Sequence, residues 1–271
     1  PWVMEVRDLW PESIKAVGAM QEGSRLLRWL EYLELRLYWH AQKIIVVTDA
    51  FKANLVERGI DRNKIAVVKN GVHLNQFTPM PKDELLVKQL SLEGKFVVGY
   101  IGTHGMAHKL DFILNAAAKV INPGIHFLFL GDGAEKPKLI KLKEQLGLQN
   151  VTMLPFVTKS EVKKYIGLTD VALVPLKKSD TFKTVIPSKI FENAAMQKPI
   201  LLGVEGESKE IIERYNAGLC FEPENENEFL DRLNQLVSNK SLYQEKQKGC
   251  KLLARDFDRG TLAREMLGIL K

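Results

Sequence analysis

Residues 184–204 read TVIPSKIFENAAMQKPILLGV, and this stretch indicates how the chain around it folds. Its first half carries apolar side chains at the spacing of one buried helix face, namely Ile190, Phe191, Ala194 and Ala195. Pro187 has a fixed φ and no N–H, so it suits the first turn of that helix. Residues 200–202 are an unbroken apolar run, which is typical of a strand covered by helices on both faces of a parallel sheet. The stretch therefore predicts a short helix followed by a buried strand.

The polar side chains of this helix are few and lie near its start. Ser188 and Lys189 fall in the first turn, where free backbone N–H groups and the positive end of the helix dipole favour an anion. Glu192 lies one turn further along. This arrangement suits a nucleoside diphosphate. It equally suits an ordinary amphipathic helix in which Lys189 and Glu192 form a solvated pair, and the local pattern alone favours that second interpretation.

The same stretch resembles the diagnostic segment of GT-B glycosyltransferases of family 4, in the subgroup that assembles bacterial surface polysaccharides. That segment carries Pro-Ser-Lys, an aromatic residue and Glu, as Pro187, Ser188, Lys189, Phe191 and Glu192 do here. In the family the Glu holds the ribose hydroxyls of the nucleotide, so the resemblance implies this role for Glu192. Most members have a second Glu eight residues earlier, which touches the donor sugar. Thr184 stands there in this chain.

Composition is that of a globular protein. The 271 residues allow one large or two ordinary domains, and 45% apolar with 27% charged residues is enough to bury a core. The net charge of +6 fits an anionic ligand, but the basic residues are spread without a run, so we expect no nucleic-acid partner. Cys220 and Cys250 lack any Cys/His ligand spacing and are predicted to be reduced thiols of a cytosolic protein, with no metal site.

The amino-terminal stretch already reads as a strand at residues 2–6, which predicts that the chain starts inside a domain. We expect no signal peptide before it, and no apolar run within residues 1–271 is long enough to span a bilayer. We therefore expect a cytoplasmic location in which any membrane contact, at the inner face of the cytoplasmic membrane, is peripheral. Residues 24–42 form an apolar and basic helical stretch. We predict that it is buried in the core, and the alternative is contact with lipid headgroups.

Arg7 and Asp8 follow the first strand, and ligands of open α/β sheets bind beyond the carboxyl ends of strands. Asp8 could instead cap the next turn. In family 4 this strand ends in His-Asp, whose His faces the reacting sugar, and the Arg-Asp-x-Trp-Pro of residues 7–11 resembles the version found in the subgroup. The resemblance implies that Arg7 contacts the acceptor or the donor, and it makes Arg7 and Asp8 the candidate catalytic residues.

A glycine-rich loop at residues 102–109 follows a predicted strand and precedes a predicted helix. Its candidate donor-binding residues are Gly102, Thr103, His104, Gly105, His108 and Lys109. Exposed amides of such a loop can cradle a phosphate, but a tight turn without a ligand has the same pattern. The family loop commonly supplies an Arg and a Lys to the diphosphate, where this chain has Thr103 and His108. We therefore expect amides, Lys109 and Lys189 to compensate the charge.

Three further segments complete the comparison with the family. Phe156 and Val157 occupy the position where the family packs the nucleobase. Residues 131–133, Gly-Asp-Gly, resemble a family turn for which we predict a structural role. Residues 256–258, Asp-Phe-Asp, match the metal signature of the other large glycosyltransferase fold, but they precede a helical pattern. Asp258 is therefore predicted to be an N-cap, and no metal or cofactor is expected.

Together these features imply an α/β protein of GT-B fold with two Rossmann-like domains and parallel sheets, the first domain incomplete. The expected parts are 1–77 as the end of the acceptor-side domain, 78–94 as a linker, 95–256 as the nucleotide-sugar domain, and 257–271 as a helix that returns to the first domain. The resemblance implies a retaining transfer of a sugar from a UDP- or GDP-linked donor to a hydroxyl of a glycan or lipid-linked acceptor. A non-hydrolysing sugar-nucleotide 2-epimerase and a donor-binding module that is inactive without a partner remain as alternatives.

Overall fold

The computed structural model describes residues 2–11 and 24–270, and their strands form two parallel sheets. The smaller sheet has the order β1-β2-β3, with β1 (Val3–Val6), β2 (Lys43–Val46) and β3 (Ile65–Val67). The larger sheet has the order β6-β5-β4-β7-β8-β9, with β4 (Phe96–Ile101), β5 (Ile125–Leu130), β6 (Val151–Leu154), β7 (Val171–Pro175), β8 (Ile200–Gly203) and β9 (Gly218–Cys220). The predicted α/β class with parallel sheets is confirmed.

Helices connect these strands as the alternating pattern predicts. The helices up to the larger sheet are α1 (Arg25–His40), α2 (Asp49–Glu57) and α3 (Glu84–Gln89). Those that follow are α4 (Leu110–Ala117), α5 (Lys136–Gln145), α6 (Lys159–Leu168), α7 (Lys189–Ala195), α8 (Glu207–Tyr215), α9 (Glu226–Ser238), α10 (Lys240–Asp256) and α11 (Arg259–Leu270). Short 3₁₀ turns occur at Arg62–Lys64, Met106–His108 and Asp180–Thr184.

The order of the larger sheet reverses between β4 and β7. The chain moves outward from β4 to β6 on one side and from β7 to β9 on the other. Loops that follow the two central strands therefore diverge and leave a crevice at their carboxyl ends, where open α/β sheets bind ligands. The glycine-rich loop 102–109 and the segment 176–188 before α7 border this crevice.

Buried apolar side chains hold helices against both faces of the larger sheet. On one face Phe191 of α7 packs in a cluster with Ile200 and Leu202, and on the other Phe229 of α9 packs with Phe127. All five side chains are fully buried. Each such burial contributes about 1.5–3 kcal/mol, so the predicted unit of helix and buried strand at 189–203 is part of the main core.

Helix α1 is less buried than predicted. Only one side of it is buried, through Leu27, Glu34 and Tyr38, and Tyr38 packs in the cluster that contains Ile44 and Val46 of β2. The Tyr38 hydroxyl donates to Glu34 Oε1 at 2.6 Å. The exposed large side chains of α1 are Leu26, Trp29, Tyr32, Leu33, Leu37 and Trp39. The prediction of a core helix is therefore wrong for this face, because six large apolar side chains remain in solvent. No helix in the described part of the chain is long and apolar enough to cross a membrane.

Helix α11 lies beside the smaller sheet. The Val72 N–H donates to the Phe257 carbonyl at 3.0 Å, and the Arg259 N–H donates to the Val72 carbonyl at 2.9 Å. Asp258 accepts from the Thr261 N–H at 3.2 Å, which is the N-cap contact that the sequence predicts. Met266 lines a cavity together with Ile45 of β2. The boundaries of the predicted domains stay a prediction.

Candidate functional site

The crevice at the ends of β4 and β7 contains a cavity of about 390 Å³. We call it the central cavity. It brings together eight of the residues that the sequence singles out, namely Asp8, Gly102, Thr103, His108, Pro187, Ser188, Lys189 and Glu192. Leu9 and Phe51 complete it from the side of the smaller sheet. Residues of both sheets therefore form its walls.

Backbone contacts between two loops fix the floor of this crevice. A Cβ at Gly131 would lie 2.0 Å from the Gly102 carbonyl oxygen, and one at Gly133 would lie 2.5 Å from the His104 carbonyl oxygen. Both glycines have φ near +150°, at 144° and 156°, which side chains rarely adopt. Only glycine fits at these two positions, in agreement with the structural role predicted for residues 131–133.

The amides of the glycine-rich loop are partly used by the protein itself. The Gly102 N–H donates to the Leu130 carbonyl at 2.9 Å, and the His104 N–H donates to the Asp132 carbonyl at 2.8 Å. These two amides are therefore engaged within the protein, and the predicted binding of a phosphate by amides of this loop stays a prediction. The loop contributes to the central cavity through the surfaces of Gly102, Thr103 and His108.

Lys189, the first residue of α7, has a buried ammonium group. Its Nζ lies 4.0 Å from the centre of the Tyr100 ring, and it has no hydrogen-bond partner among residues 2–11 and 24–270. Burial lowers the pKa of Lys189 to about 7, although the nearby Glu192 carboxylate opposes this shift. The interpretation as a solvated pair with Glu192 is therefore wrong. A buried donor without an acceptor is costly, so this position favours an anionic ligand.

Two histidines of the loop lie behind Lys189. His104 is fully buried between the rings of Tyr100 and Phe129, and neither of its ring nitrogens has a partner in the described part of the chain. Burial lowers the pKa of His104 to about 4 and that of His108 to about 3, so both rings are neutral at pH 7. His104 is not among the residues that line the central cavity, and its contact with the donor stays a prediction. His108 does line it.

Lys109 and Gly105 face away from the central cavity. Both line a separate cavity on the other side of the loop. Lys109 has a left-handed backbone with φ of 48°, and its Nζ pairs with Asp111 at 2.9 Å. In this structure the turn directs the Lys109 side chain to Asp111, and its predicted contact with a diphosphate stays a prediction. Among the predicted cations, Lys189 is the one beside the central cavity.

Arg7 and Asp8 are separated by the structure. Asp8 lines the central cavity, whereas the exposed Arg7 pairs with Glu5 at 2.8 Å and lines a cavity next to α11. Both residues belong to the bend that follows β1, which ends at Val6. Asp8 is therefore the one of these two candidates that lines the central cavity, and the catalytic role implied for both stays a prediction.

Phe156 and Val157 line a smaller cavity of about 180 Å³. Gly102 and Thr103 belong to both this cavity and the central one, so the two are neighbours. The Phe156 side chain is 71% exposed and offers an open apolar surface. The contact with the nucleobase that the resemblance implies for these two residues stays a prediction.

The sequence did not indicate two features of the site. One is Tyr100, whose ring lies under Lys189 and whose hydroxyl donates to the Thr103 carbonyl at 2.6 Å. The other is a contact between the two sheets, which we call the Glu207 bridge. The Glu207 carboxylate accepts from the Asp49 N–H at 3.0 Å and lies 3.2 Å from Lys69 Nζ. Among the described residues no group of three or more His, Cys, Asp or Glu is placed to hold a metal ion.

Comparison with solved structures identifies the class of fold. Alr3699/HepE of Anabaena, solved in complex with UDP and glucose, superimposes with a TM-score of 0.83 at 19% identity, covering 100% of this chain and 71% of that chain. Sucrose-phosphate synthase of Thermosynechococcus elongatus superimposes with a TM-score of 0.78 at 17% identity, covering 99% of this chain and 67% of the synthase chain. These likenesses show the fold, which is GT-B as predicted.

The family is shown by the sequence models. The model described as "Glycosyl transferases group 1" matches residues 81–252, and the model described as "Glycosyltransferase Family 4" matches residues 12–76. The chain belongs to the glycosyl transferases of group 1.

Relatives point to the same family. The probable glycosyltransferase WbjE of Pseudomonas aeruginosa is 30% identical over 225 residues, which are 80% of this chain and 55% of WbjE. The putative teichuronic acid biosynthesis glycosyltransferase TuaH of Bacillus subtilis is 28% identical, over 73% of this chain and 49% of TuaH. The chain thus spans about half the length of the curated relatives it matches.

Proposed function

We propose that this chain binds a UDP- or GDP-linked sugar and belongs to a retaining glycosyltransferase that transfers the sugar to a hydroxyl of a glycan or lipid-linked acceptor in surface-polysaccharide assembly. The family, the names of WbjE and TuaH, and the UDP found in a structural neighbour support this proposal. The observation that carries it is the buried ammonium of Lys189, which has no protein acceptor in the described residues and lies at the start of α7 beside the central cavity.

Charge balance explains why this position suits a diphosphate. The ligand brings two negative charges, and the start of a helix and Lys189 both favour them. The same two groups would stabilise the charge that develops on the leaving nucleoside diphosphate. Because the helix rises about 1.5 Å per residue, Glu192 lies about 4.5 Å further along α7, which is about the separation of a ribose from its phosphate. Burial raises the pKa of Glu192, although nearby cations oppose this shift.

The residues that we propose to contact the acceptor belong to the part of the molecule around the smaller sheet. Asp8 faces the central cavity from that side, where it would contact the acceptor or the transferred sugar. The exposed face of α1 combines apolar side chains such as Trp29 and Leu33 with Arg25 and Arg28. A face of this composition suits anionic lipid headgroups, and we include peripheral contact with the inner face of the cytoplasmic membrane in the proposal.

Calorimetric titration of Glu192→Ala tests the donor site. The variant should weaken UDP or GDP roughly tenfold or more and leave pyrophosphate nearly unchanged, because only the nucleoside diphosphate has a ribose. Glu213→Ala is the matched control, since its carboxylate on α8 has an exposed side chain, at 58%. Equal losses for pyrophosphate and the nucleoside diphosphates would show that Glu192 does not contact the ribose.

Product analysis tests the reaction. We expect transfer with retained anomeric configuration, visible in the anomeric proton resonance of the product, and activity in excess chelator. A new nucleotide sugar formed without any acceptor would indicate the epimerase instead. Donor binding without turnover under all conditions would indicate a binding module. Activity that disappears with chelator and returns with manganese or magnesium would contradict the metal-free mechanism.

A further inference from the structure

The Glu207 bridge joins the two parts of the molecule that enclose the central cavity. Glu207 is the first residue of α8, and both oxygens of its carboxylate accept from the Asp49 N–H, at 3.0 and 3.1 Å. Asp49 is the first residue of α2, so the carboxylate lies at a helix start, where negative charge is favourable. Lys69 Nζ completes the bridge, at 3.2 Å from Glu207 and 3.0 Å from Asp49. A backbone amide and an ammonium group of the smaller-sheet side therefore hold this carboxylate.

The charged groups of the bridge are shielded from water. The Glu207 side chain is 12% exposed, and the Lys69 side chain is 23% exposed. Burial opposes the charge of Lys69, but Asp49 and Glu207 raise its pKa above the ordinary value. An ion pair in such a place is screened less by water and salt than one on the open surface. The contact is therefore suited to holding the two sides of the molecule together.

On the larger-sheet side, the start of α8 is fixed to a segment that lines the central cavity. Ser208 is fully buried, and its hydroxyl donates to the Val185 carbonyl at 2.7 Å. Gly206 has φ of 67°, and a Cβ there would lie 2.1 Å from the Lys183 carbonyl oxygen. Val185 lines the central cavity and packs against the buried clusters of both sheets. The two neighbours of Glu207 in the chain therefore fix it relative to this wall.

On the smaller-sheet side, the bridge holds the turn that presents Phe51. The Phe51 side chain is fully buried and lines the central cavity. The Phe51 N–H donates to the Thr48 hydroxyl at 3.0 Å, in the same first turn of α2 in which the Asp49 N–H donates to Glu207. Asp49, Lys69 and Glu207 are not among the residues that line the cavity. The bridge therefore acts on a ligand through the walls that it connects.

We propose that Glu207 is a positioning residue that holds the Phe51 wall against the Val185 wall, so that the central cavity is formed before a ligand binds. The inference rests on the proposed binding of a nucleotide sugar in that cavity. Without the bridge, the two sides separate in part of the molecules, and the ligand has to bring them together again. The measured affinity then falls in proportion to the fraction of molecules in which the cavity is formed.

Distances between spin labels test the separation of the two sides. Glu57→Cys on α2 and Glu213→Cys on α8 place the labels at exposed positions. Burial raises the pKa of Cys220 to about 12 and also raises the pKa of Cys250, so these native thiols react slowly at neutral pH. The doubly labelled parent should give one narrow distance distribution without ligand. Glu207→Ala should broaden it and lengthen its mean by roughly 2 Å or more, and saturating UDP or GDP should restore the parent distance.

Calorimetric titration with UDP and GDP tests the effect on binding. Glu207→Ala should weaken the nucleoside diphosphate that the parent binds by roughly 3- to 10-fold. Glu207→Gln should weaken it less, because its amide oxygen still accepts from the Asp49 N–H. Lys69→Met should resemble Glu207→Ala, and the double variant should add little, since the two residues belong to one contact.

Glu210→Ala is the matched control for both measurements. Its carboxylate lies in the same first turn of α8 and is exposed, so the variant should change neither the distance nor the affinity. Effects in Glu210→Ala as large as those in Glu207→Ala would assign them to the charge of the helix start and refute the positioning role. Urea denaturation shows whether each variant is folded, and Glu207→Gln and Lys69→Met carry the test if Glu207→Ala is not.

The remaining outcomes separate this inference from the proposed function. An unchanged distance distribution in the folded Glu207 variants would refute the inference. A longer distance with unchanged affinity would also refute it, because the Phe51 wall would then not contribute to the ligand site. If neither UDP nor GDP binds to the parent, the proposed function is overturned, whereas the distances still report whether Glu207 holds the two sides together.

Discussion

Lys136 and Lys189 occupy the same place in two neighbouring parts of the larger sheet, since each is the first residue of a helix, α5 or α7. Their surroundings differ. Lys136 Nζ donates to the Gly131 carbonyl at 2.6 Å and to the Leu154 carbonyl at 2.8 Å. Lys189 Nζ lies over the ring of Tyr100 and has no acceptor in the described residues. The role of a lysine at a helix start therefore depends on its acceptors. Lys136 stabilises a loop, and Lys189 is available to a ligand.

The largest expected effect is on ligand binding. Lys189→Met should weaken a nucleoside diphosphate roughly 100-fold, because a charge-assisted hydrogen bond is lost from a buried site. Lys136→Met should change the affinity less than about threefold, since its ammonium is already bonded to carbonyls. Isothermal titration of both variants measures the difference, with circular dichroism to confirm that each is folded. If both variants lost the same affinity for the nucleoside diphosphate, Lys189 and Lys136 would not differ in ligand binding.

The two variants should have the opposite order in stability: Lys136→Met should lower the free energy of unfolding more than Lys189→Met. Lys136→Met leaves the Gly131 carbonyl oxygen without this donor and removes one of two donors from the Leu154 carbonyl oxygen, which still accepts from the Gly131 N–H. We expect the free energy of unfolding to fall by about 2 kcal/mol. Lys189→Met should leave it unchanged or raise it, because a buried unpaired ammonium is replaced by an apolar group. Urea denaturation without ligand measures both. Lys138→Met is the control, because its side chain is 75% exposed, and it should stay within about 0.5 kcal/mol of the parent.

The smallest expected effect is on the pH dependence of stability and of ligand affinity, in the part that Lys189 contributes. Its pKa is about 7 in the folded protein, below the ordinary value of 10.5, so the unfolded chain binds more protons between these values. Without ligand, stability should therefore rise with pH from about 7 to about 10. A bound diphosphate favours the charged ammonium, so the affinity for a nucleotide sugar should fall over this range, by at most about tenfold per pH unit.

Lys189→Met provides the comparison for both measurements. Burial also lowers the pKa of Lys198, to about 8, and Lys198 adds to the stability slope of both proteins. The difference between the parent and Lys189→Met therefore isolates Lys189. Urea midpoints and dissociation constants between pH 6.5 and 9.5 give the two slopes. An affinity of the parent that stays constant across this range would show that Lys189 is charged before the ligand arrives.

The sequence alone predicts those parts of the fold whose residue pattern is local. The spacing of Ile190, Phe191, Ala194 and Ala195 predicts a helix without knowledge of its neighbours, and the structure buries all four. The burial of the Lys189 ammonium was not predictable in this way. It depends on Tyr100, which belongs to β4 and reaches Lys189 only because β4 and β7 are adjacent in the sheet. A contact of this kind is decided by sheet order.

Two candidate residues, Lys109 and Arg7, lie outside the central cavity for different physical reasons. Lys109 was assigned to the diphosphate by its position in the loop, but its left-handed backbone, with φ of 48°, turns the side chain to Asp111. No pattern in the sequence predicts this left-handed conformation, which non-glycine residues seldom adopt. Arg7 was implied to contact the acceptor or the donor, but its side chain pairs with Glu5 and lines the cavity next to α11. Its direction is set by the bend at residues 7 and 8, after the end of β1, which the sequence does not specify.

The Glu207 bridge has a consequence for the order in which the molecule assembles. It joins Asp49 and Glu207, which are 158 residues apart in the chain, so it closes one of the longest loops described here. Contacts between distant residues form late in folding, since the entropy of closing the loop is lost before the contact is gained. The α7 side of the central cavity involves nearer neighbours and should form first. Double-jump refolding with a nucleotide present is expected to show ligand capture first, with Phe51 and Asp8 closing over the ligand in a later phase.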